Sequence, residues 1–347
     1  MTLLTYRTPD SALTTRTATR TSSRTGTGTR TGLDSRTIPG PTTAAPVPRL
    51  TSTVAKEYVH RACHAEVFIT GSRQLTDTVF AVTAQWPRAH TFFSTADGTR
   101  HDPMQTAETI RQAGLYLAHA RFDIPLDHKF MMWNLDYTTL PHRLLIGTAP
   151  TDLTLEVQLL AQPRRAGTTV DFTLETVVRR GTQRAGTGYA RFTTVPHSTY
   201  QRLRRGRHGA EHPSAPIMTA EPLPPARVGR LRPCDVVLTP ADAPGSWHLT
   251  PDFRHPILFD HTNDHIPGMV LLEAARQAAN ALSSPVTVTP AAAATTFHRY
   301  AEHDAPTTIT ARHTPGVDPD TLTTTVTGHQ HGEPIFTTVL TGHPDHR

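Results

Sequence analysis

Hydrophobic and polar positions alternate most cleanly in LTLEVQLL (153–160), where every second residue is apolar, and in DFTLETVV (171–178), where Phe172, Leu174 and Val178 keep the same phase. Period two over six to ten residues is the mark of a half-buried strand. The pattern predicts strands over 128–137, 153–161, 168–178 and 185–195, and again over 286–300, 306–313, 320–328 and 334–341. Shorter β-type runs precede each set, at 58–70 and 75–84, and at 234–239 and 246–250. Two segments break the rhythm. Residues 104–120 and 267–282 are helical by length and composition. The second is apolar nearly all round (Met269, Val270, Leu271, Leu272, Ala274, Ala275, Ala278, Ala279), which implies a helix covered on most sides.

The two helical segments are copies of one another. HDPMQTAETIRQAG (101–114) aligns without a gap on IPGMVLLEAARQAA (266–279). Met104 meets Met269, Glu108 meets Glu273, and Arg111-Gln112-Ala113 meets Arg276-Gln277-Ala278. The same offset brings His90 onto His255, so each copy has a histidine 18 residues ahead of its glutamate. Internal repetition at this length implies two copies of one domain. Each copy would hold one buried helix wrapped by antiparallel strands, an α+β arrangement. The expected organisation is a tail over 1–50, a first domain over 51–196, a linker rich in proline and arginine over 197–233, and a second domain over 234–347.

Composition changes the picture mainly at the N-terminus. Residues 1–50 are almost wholly Thr, Arg, Gly, Ser and Pro, too poor in large apolar groups to offset the entropy of ordering, and are read as disordered. They hold seven of the 34 basic residues and two of the 29 acidic ones. The rest is therefore balanced at 27 against 27, and the net +5 gives the folded body no basic field for nucleic acid. The glycines of the tail follow no strand and precede no helix, so they make no phosphate loop. Cys63 and Cys234 lie far apart, and no signal-type or membrane-spanning apolar run is present, which points to a reducing cytoplasm and no membrane. A transit peptide is the weaker reading of the arginine-rich tail.

Several stretches now carry a family likeness. They are Val59-His60-Arg61 with Ala65-Glu66-Val67, Ala84-Gln85-Trp86-Pro87-Arg88, His101-Asp102-Pro103, the Glu108 helix, and Met132-Trp133-Asn134-Leu135-Asp136-Tyr137. The second half adds Leu258-Phe259-Asp260-His261 and Asp264-His265-Ile266-Pro267-Gly268-Met269. The start of the second helix resembles the hotdog 3-hydroxyacyl-carrier-protein dehydratases, with a longer loop after His255. The whole span 55–345 more closely resembles the A-factor biosynthesis family of bacterial γ-butyrolactone and furan autoinducer synthases. That resemblance implies two tandem hotdog domains. It implies joining of a β-ketoacyl thioester, on a carrier protein or coenzyme A, to the hydroxyl of dihydroxyacetone phosphate. The ester would close to a phosphorylated butenolide, from which other enzymes make the lactone or furan. No cofactor is implied.

Given that reaction, Glu273 and Arg276 are the first candidates. They stand at i and i+3 on one face of an apolar helix, where a paired charge is tolerated and a lone one is not. Glu273 would be the general base and Arg276 would hold the phosphate or the developing negative charge, against the plain alternative of a structural ion pair. Glu108 and Arg111 form the matching pair. Gln112 and Gln277 are placed with substrate, and Gly268 offers an unobstructed helix-end N–H to a thioester carbonyl. The first copy has Pro103 and no glycine there, which marks it as degenerate or differently specialised. His90 and His255 would position substrate or cap the helix start, each facing the glutamate of the other copy if the site lies between the domains.

The group His255, Asp260, His261, Asp264, His265 matches no tight zinc spacing, and no metal is assigned. Cys63-His64 would point to opposite faces of a strand and make no nucleophile–base pair. Trp86, Trp133, Phe92 and Phe93 suit a core or an acyl tunnel. The run Arg202, Arg204, Arg205, Arg207 suits a solvated linker or a dock for an acidic carrier protein. Two other functions compete: a dehydratase or thioesterase on the same scaffold, and an acyl-sensing DNA-associated regulator, against which the neutral body counts.

Overall fold

The computed structural model describes residues 51–164, 168–204, 221–314 and 321–344. The tail over 1–50, Arg205 and Arg207 lie outside the described residues. Among the described residues, twelve antiparallel strands form one sheet. The first half contributes β1 (Ile69–Gln74), β2 (Val79–Trp86), β3 (Lys129–Thr139), β4 (Thr151–Pro163), β5 (Val170–Arg180) and β6 (Gln183–Val195). The second contributes β7 (Leu238–Pro240), β8 (Ser246–Leu249), β9 (Val288–Phe297), β10 (Thr308–Thr314), β11 (Leu322–Gln330) and β12 (Glu333–Pro344). The spatial order is β1-β2-β4-β5-β6-β3 and then β9-β12-β11-β10-β8-β7. Each half has the same topology, and the mirrored order places β3 against β9, with Leu135 opposite Thr295 and Tyr137 opposite Ala293. Both halves are hotdog domains, and the tandem pair shares a continuous sheet and hydrophobic core.

The helices are α1 (Met104–Phe122) and α3 (Gly268–Ser283), each laid on its own half-sheet; a short α2 (His197–Leu203) follows β6. Helix α1 approaches β6 so closely that a Cβ at Gly188 would collide with the Ile110 side chain. Ten strands and both long helices lie within a few residues of their sequence-based bounds. The run 58–70 does not: it forms 3-10 turns at Lys56–Val59 and His64–Glu66, and β1 begins only at Ile69. The run 234–239 behaves alike, with a 3-10 turn at Pro233–Asp235 ahead of β7. The reason is chemical. Arg61, Glu66, Arg230 and Asp235 all turn inward to buried polar partners, and an extended strand would send half of them to solvent.

The stretch read as a linker is partly integrated with the second half. Arg204 at the end of α2 is buried, bridging Glu302 (2.6 and 2.8 Å) and Asp264 (3.1 Å), and its guanidinium covers the Tyr300 ring. Leu223, Val228 and Arg230 are also buried.

Candidate active site

Each long helix carries a carboxylate with no exposed surface. Glu108 accepts from Arg61 Nε (3.0 Å), from Arg111 Nε (2.9 Å) and Nη2 (2.8 Å), and from Gln112 Nε2 (2.7 Å). Glu273 accepts from Arg230 Nε (2.8 Å) and Nη2 (2.5 Å), from Arg276 Nε (2.9 Å) and Nη2 (2.8 Å), and from Gln277 Nε2 (2.5 Å). Burial alone would raise both carboxyls. The adjacent guanidiniums outweigh it, Arg111 and Arg61 at Glu108 and Arg230 and Arg276 at Glu273, and hold each carboxyl down at about 2. A carboxylate whose oxygens are taken up by guanidinium and amide donors on every side, with no exposed surface, has no lone pair to offer a substrate proton. These clusters lock each helix to its domain and across to the other: Arg61 Nη1 donates to the Ile257 carbonyl of the second half, and Arg230 Nη1 to the Phe92 carbonyl of the first.

The remaining predicted residues serve the same scaffold. Gln112 Oε1 accepts the Phe68 N–H while its amide donates to the Glu66 carbonyl; Gln277 does the same with Val237 and Asp235. Both glutamines are fully engaged. His90 Nδ1 accepts the Phe92 and Phe93 amides, and His255 Nδ1 those of Ile257 and Leu258, so each histidine fixes its own loop. Their second nitrogens face Glu66 (3.4 Å) and Asp235 (2.9 Å), not the opposite glutamates. Cross-facing between halves is carried instead by Arg61 and Arg230, which the sequence reading missed. A second repeat would have found them. VHRACHAEVFIT (59–70) aligns on VGRLRPCDVVLT (228–239) at an offset of 169, pairing Arg61 with Arg230 and Glu66 with Asp235.

The two clusters differ in what they border. A cavity of about 810 Å³ opens beside the first and not the second: Arg61 and Arg111 line it, whereas Glu273, Arg276 and Gln277 do not. Gly268, at the start of α3, also lines the cavity. Neither the Gly268 nor the Met269 N–H has an acceptor among the described residues. At the aligned start of α1, Pro103 has no N–H to give, and the Met104 amide is already held by Asp102 Oδ1 (2.9 Å). Arg230 also lies 3.6 Å from Asp102 and covers the Phe92 ring, so this region is filled by protein.

The cavity has two characters. Leu115, Phe130, Met132, Leu258, Leu271 and Phe297 make an apolar wall. Arg111, Lys129, His60, His128 and His261 make a cationic and imidazole-rich one. Arg111 spends Nε and Nη2 on Glu108 and Val59, and its Nη1 has no protein acceptor among the described residues. Lys129 is exposed and unpaired among them. His261 sits low, at about 4, through burial and the charges of Arg111 and Arg61. Of the tryptophans, Trp133 lines the cavity, and Trp86 is core, donating to Thr109.

An anion-receptive pocket with an apolar arm, set between two fused hotdog domains, defines a protein built to hold an acyl chain beside a charged group. The comparisons with known proteins agree and go further. The A-factor biosynthesis hotdog domain model matches residues 42–196 and 212–344, and this chain belongs to that family. It is 42% identical over 291 residues to a 2-oxo-3-(phosphooxy)propyl 3-oxoalkanoate synthase of Streptomyces virginiae, covering 84% of this chain and 98% of that one. It is 39% identical over 300 residues to the enzyme of the same name from Streptomyces coelicolor, covering 86% and 92%. Among solved structures it is similar to a putative oleoyl thioesterase of Lactobacillus plantarum, at 10% identity and a TM-score of 0.42, over 78% of this chain and 98% of that one. No helix among the described residues is long and apolar enough to cross a membrane.

Proposed function

We propose that this chain transfers a 3-oxoacyl group from a thioester to the hydroxyl of dihydroxyacetone phosphate, giving a 2-oxo-3-(phosphooxy)propyl 3-oxoalkanoate. The observation that carries the reading is the joining, in one cavity, of the free Nη1 of Arg111, the apolar wall and the unpaired amides of α3. Arg111 and Lys129 would take the phosphate, Arg111 through a charge-assisted hydrogen bond from a guanidinium already held in place by Glu108. The acyl chain would lie along Leu115, Leu271 and Phe297. The Gly268 and Met269 N–H groups, at the positive end of the α3 dipole, would hold the thioester carbonyl and the oxyanion formed from it.

In this reading the first-half pair, Glu108 and Arg111, works with the second-half helix start. Glu273, Arg276, Gln112, Gln277, His90 and His255 support it from behind. The acyl group would arrive on a carrier protein or on coenzyme A, and the ester would close to a phosphorylated butenolide by attack of its activated methylene on the ketone, with loss of water.

Mass spectrometry of purified protein with a 3-oxoacyl thioester and dihydroxyacetone phosphate tests this. A new ion at the mass of the phosphorylated ester or its dehydrated butenolide is expected. Free 3-oxo acid as the main product would replace the synthase with a hydrolase.

A further inference from the structure

We propose that His60 is the general base that takes the proton from the attacking hydroxyl, and that His119 is the positioning residue that fixes the imidazole in the form that can do so. The inference rests on the acyl-transfer reading and adds the group that reading lacks.

The backbone singles His60 out. It closes the 3-10 turn Lys56–Val59 with φ 51° and ψ 55°, a left-handed conformation uncommon for a residue with a side chain. The aligned residue of the second repeat is Gly229, at φ 66°, which adopts that conformation without strain. Backbone strain kept where the sister copy has relieved it suggests a side chain retained for its chemistry.

The hydrogen bonds then decide the tautomer. His119 Nδ1 lies 2.7 Å from the Ile124 carbonyl oxygen, which only accepts, so Nδ1 carries the hydrogen. In the neutral ring Nε2 of His119 is left as an acceptor. His60 Nε2, at 2.9 Å, must therefore donate to it. That places the lone pair of His60 on Nδ1. Phe130 sits 5.0 Å from each imidazole centroid and restrains both rings. His60 and Arg111 line the same cavity.

Burial and the charges facing His60 keep it neutral: Arg111 and His119 from α1, His261 from the loop before α3, and Lys129 from β3 together hold it down at about 3. A phosphate dianion bound by Arg111 and Lys129 would offset those cations and raise the ring's proton affinity when the acceptor is in place. His261 also faces the cavity but has no comparable anchor, with Asp260 3.9 Å away and Asn263 3.4 Å away.

The step balances without any further reactant. The hydroxyl oxygen bonds to the thioester carbonyl carbon as its proton passes to His60 Nδ1. The tetrahedral oxyanion collapses, the C–S bond breaks, and the proton leaves with sulfur as the free thiol.

The test pairs kinetics with a measurement on the wild-type protein. His60→Gln should lower kcat at least about 100-fold with little change in KM for dihydroxyacetone phosphate, the range expected for a lost general base. It should also remove the acid limb of the kcat–pH profile, and His119→Phe should lower kcat in the same direction. In nitrogen-15 histidine spectra of the wild type, the ring in contact with Phe130 and His119 should be protonated at Nε2 and bare at Nδ1. A His60→Gln variant with wild-type kcat, or a His60 ring protonated at Nδ1, would overturn the assignment. If the wild type makes no ester, the acyl-transfer reading falls and this role with it; if it does and His60→Gln is unimpaired, only the histidine's role falls.

Discussion

The internal repeat supplies a matched pair of perturbations. Arg111 reaches Glu108 at 2.9 and 2.8 Å and the Val59 carbonyl at 3.3 Å; Arg276 reaches Glu273 at 2.9 and 2.8 Å and the Val228 carbonyl at 3.3 Å. Replacing either by methionine removes the same three contacts, in each case leaving a buried carboxylate with one arginine and one glutamine. Breaking a buried pair costs about 3–5 kcal/mol when the remaining charge has no other partner. With Arg61 or Arg230 still present the cost falls to or below the lower end of that range, so each variant should lose about 2–3 kcal/mol of unfolding free energy. Their effects on catalysis should diverge. Only Arg111 borders the cavity, and loss of a charge-assisted hydrogen bond to phosphate, about 1.5–3 kcal/mol, is roughly a 10- to 100-fold rise in KM for dihydroxyacetone phosphate. Arg111→Met should show that rise, and Arg276→Met should keep its KM within about twofold. Urea denaturation would give the stabilities, and initial rates against acceptor concentration, taken well below both transitions, would give KM. The reasoning is refuted if Arg276→Met raises KM as much as Arg111→Met does while still folded, or if Arg111→Met leaves KM alone.

Other outcomes follow from the same geometry. Glu273→Gln would leave two buried guanidiniums facing a neutral amide, and should cost about 3–5 kcal/mol in denaturant titrations while the folded fraction still turns over. Stability should fall as pH drops from about 6.5. His60, His101 and His261 are held at about 3, 4 and 4 when folded, so the unfolded chain binds more protons across that window. The decline should continue below about 4.5, where the two glutamates, held at about 2 in the fold, take up protons in the unfolded chain; thermal melts showing no acid loss between pH 6.5 and 3 would contradict this. Gly342→Ala would put a Cβ 2.6 Å from the Thr289 carbonyl oxygen where β12 meets β9, and should lower the melting temperature measurably. Leu271→Trp, at the buried apolar wall, should shorten the longest acyl chain accepted in a series of thioesters; an unchanged preference would move the acyl arm elsewhere.

The sequence by itself determined the elements and their duplication. Alternation in β4 and β5 and the apolar circumference of α3 are local patterns, set by which faces must be buried, so they read directly along the chain. So did the twin Glu-x-x-Arg pairs and the absence of an N–H at Pro103. It was less legible around Arg61 and Arg230, where β-type composition runs through residues that turn inward as 3-10 segments. Their acidic partners lie 47 and 43 residues away, beyond any local periodicity.

Only the tertiary structure decided which cluster faces a cavity. The pairing of β3 with β9 brings α1 of one half beside the start of α3 in the other, so Arg111 and Gly268, 157 residues apart in sequence, border one cavity. Near-identical sequence pairs thereby acquired different surroundings. Asp102 and Arg230 fill the space beside Glu273, while in the cavity the first amides of α3 and the Nη1 of Arg111 have no partner among the described residues. A charge pair's chemistry depends on what packs against its open side, and here that is set by contacts between the halves.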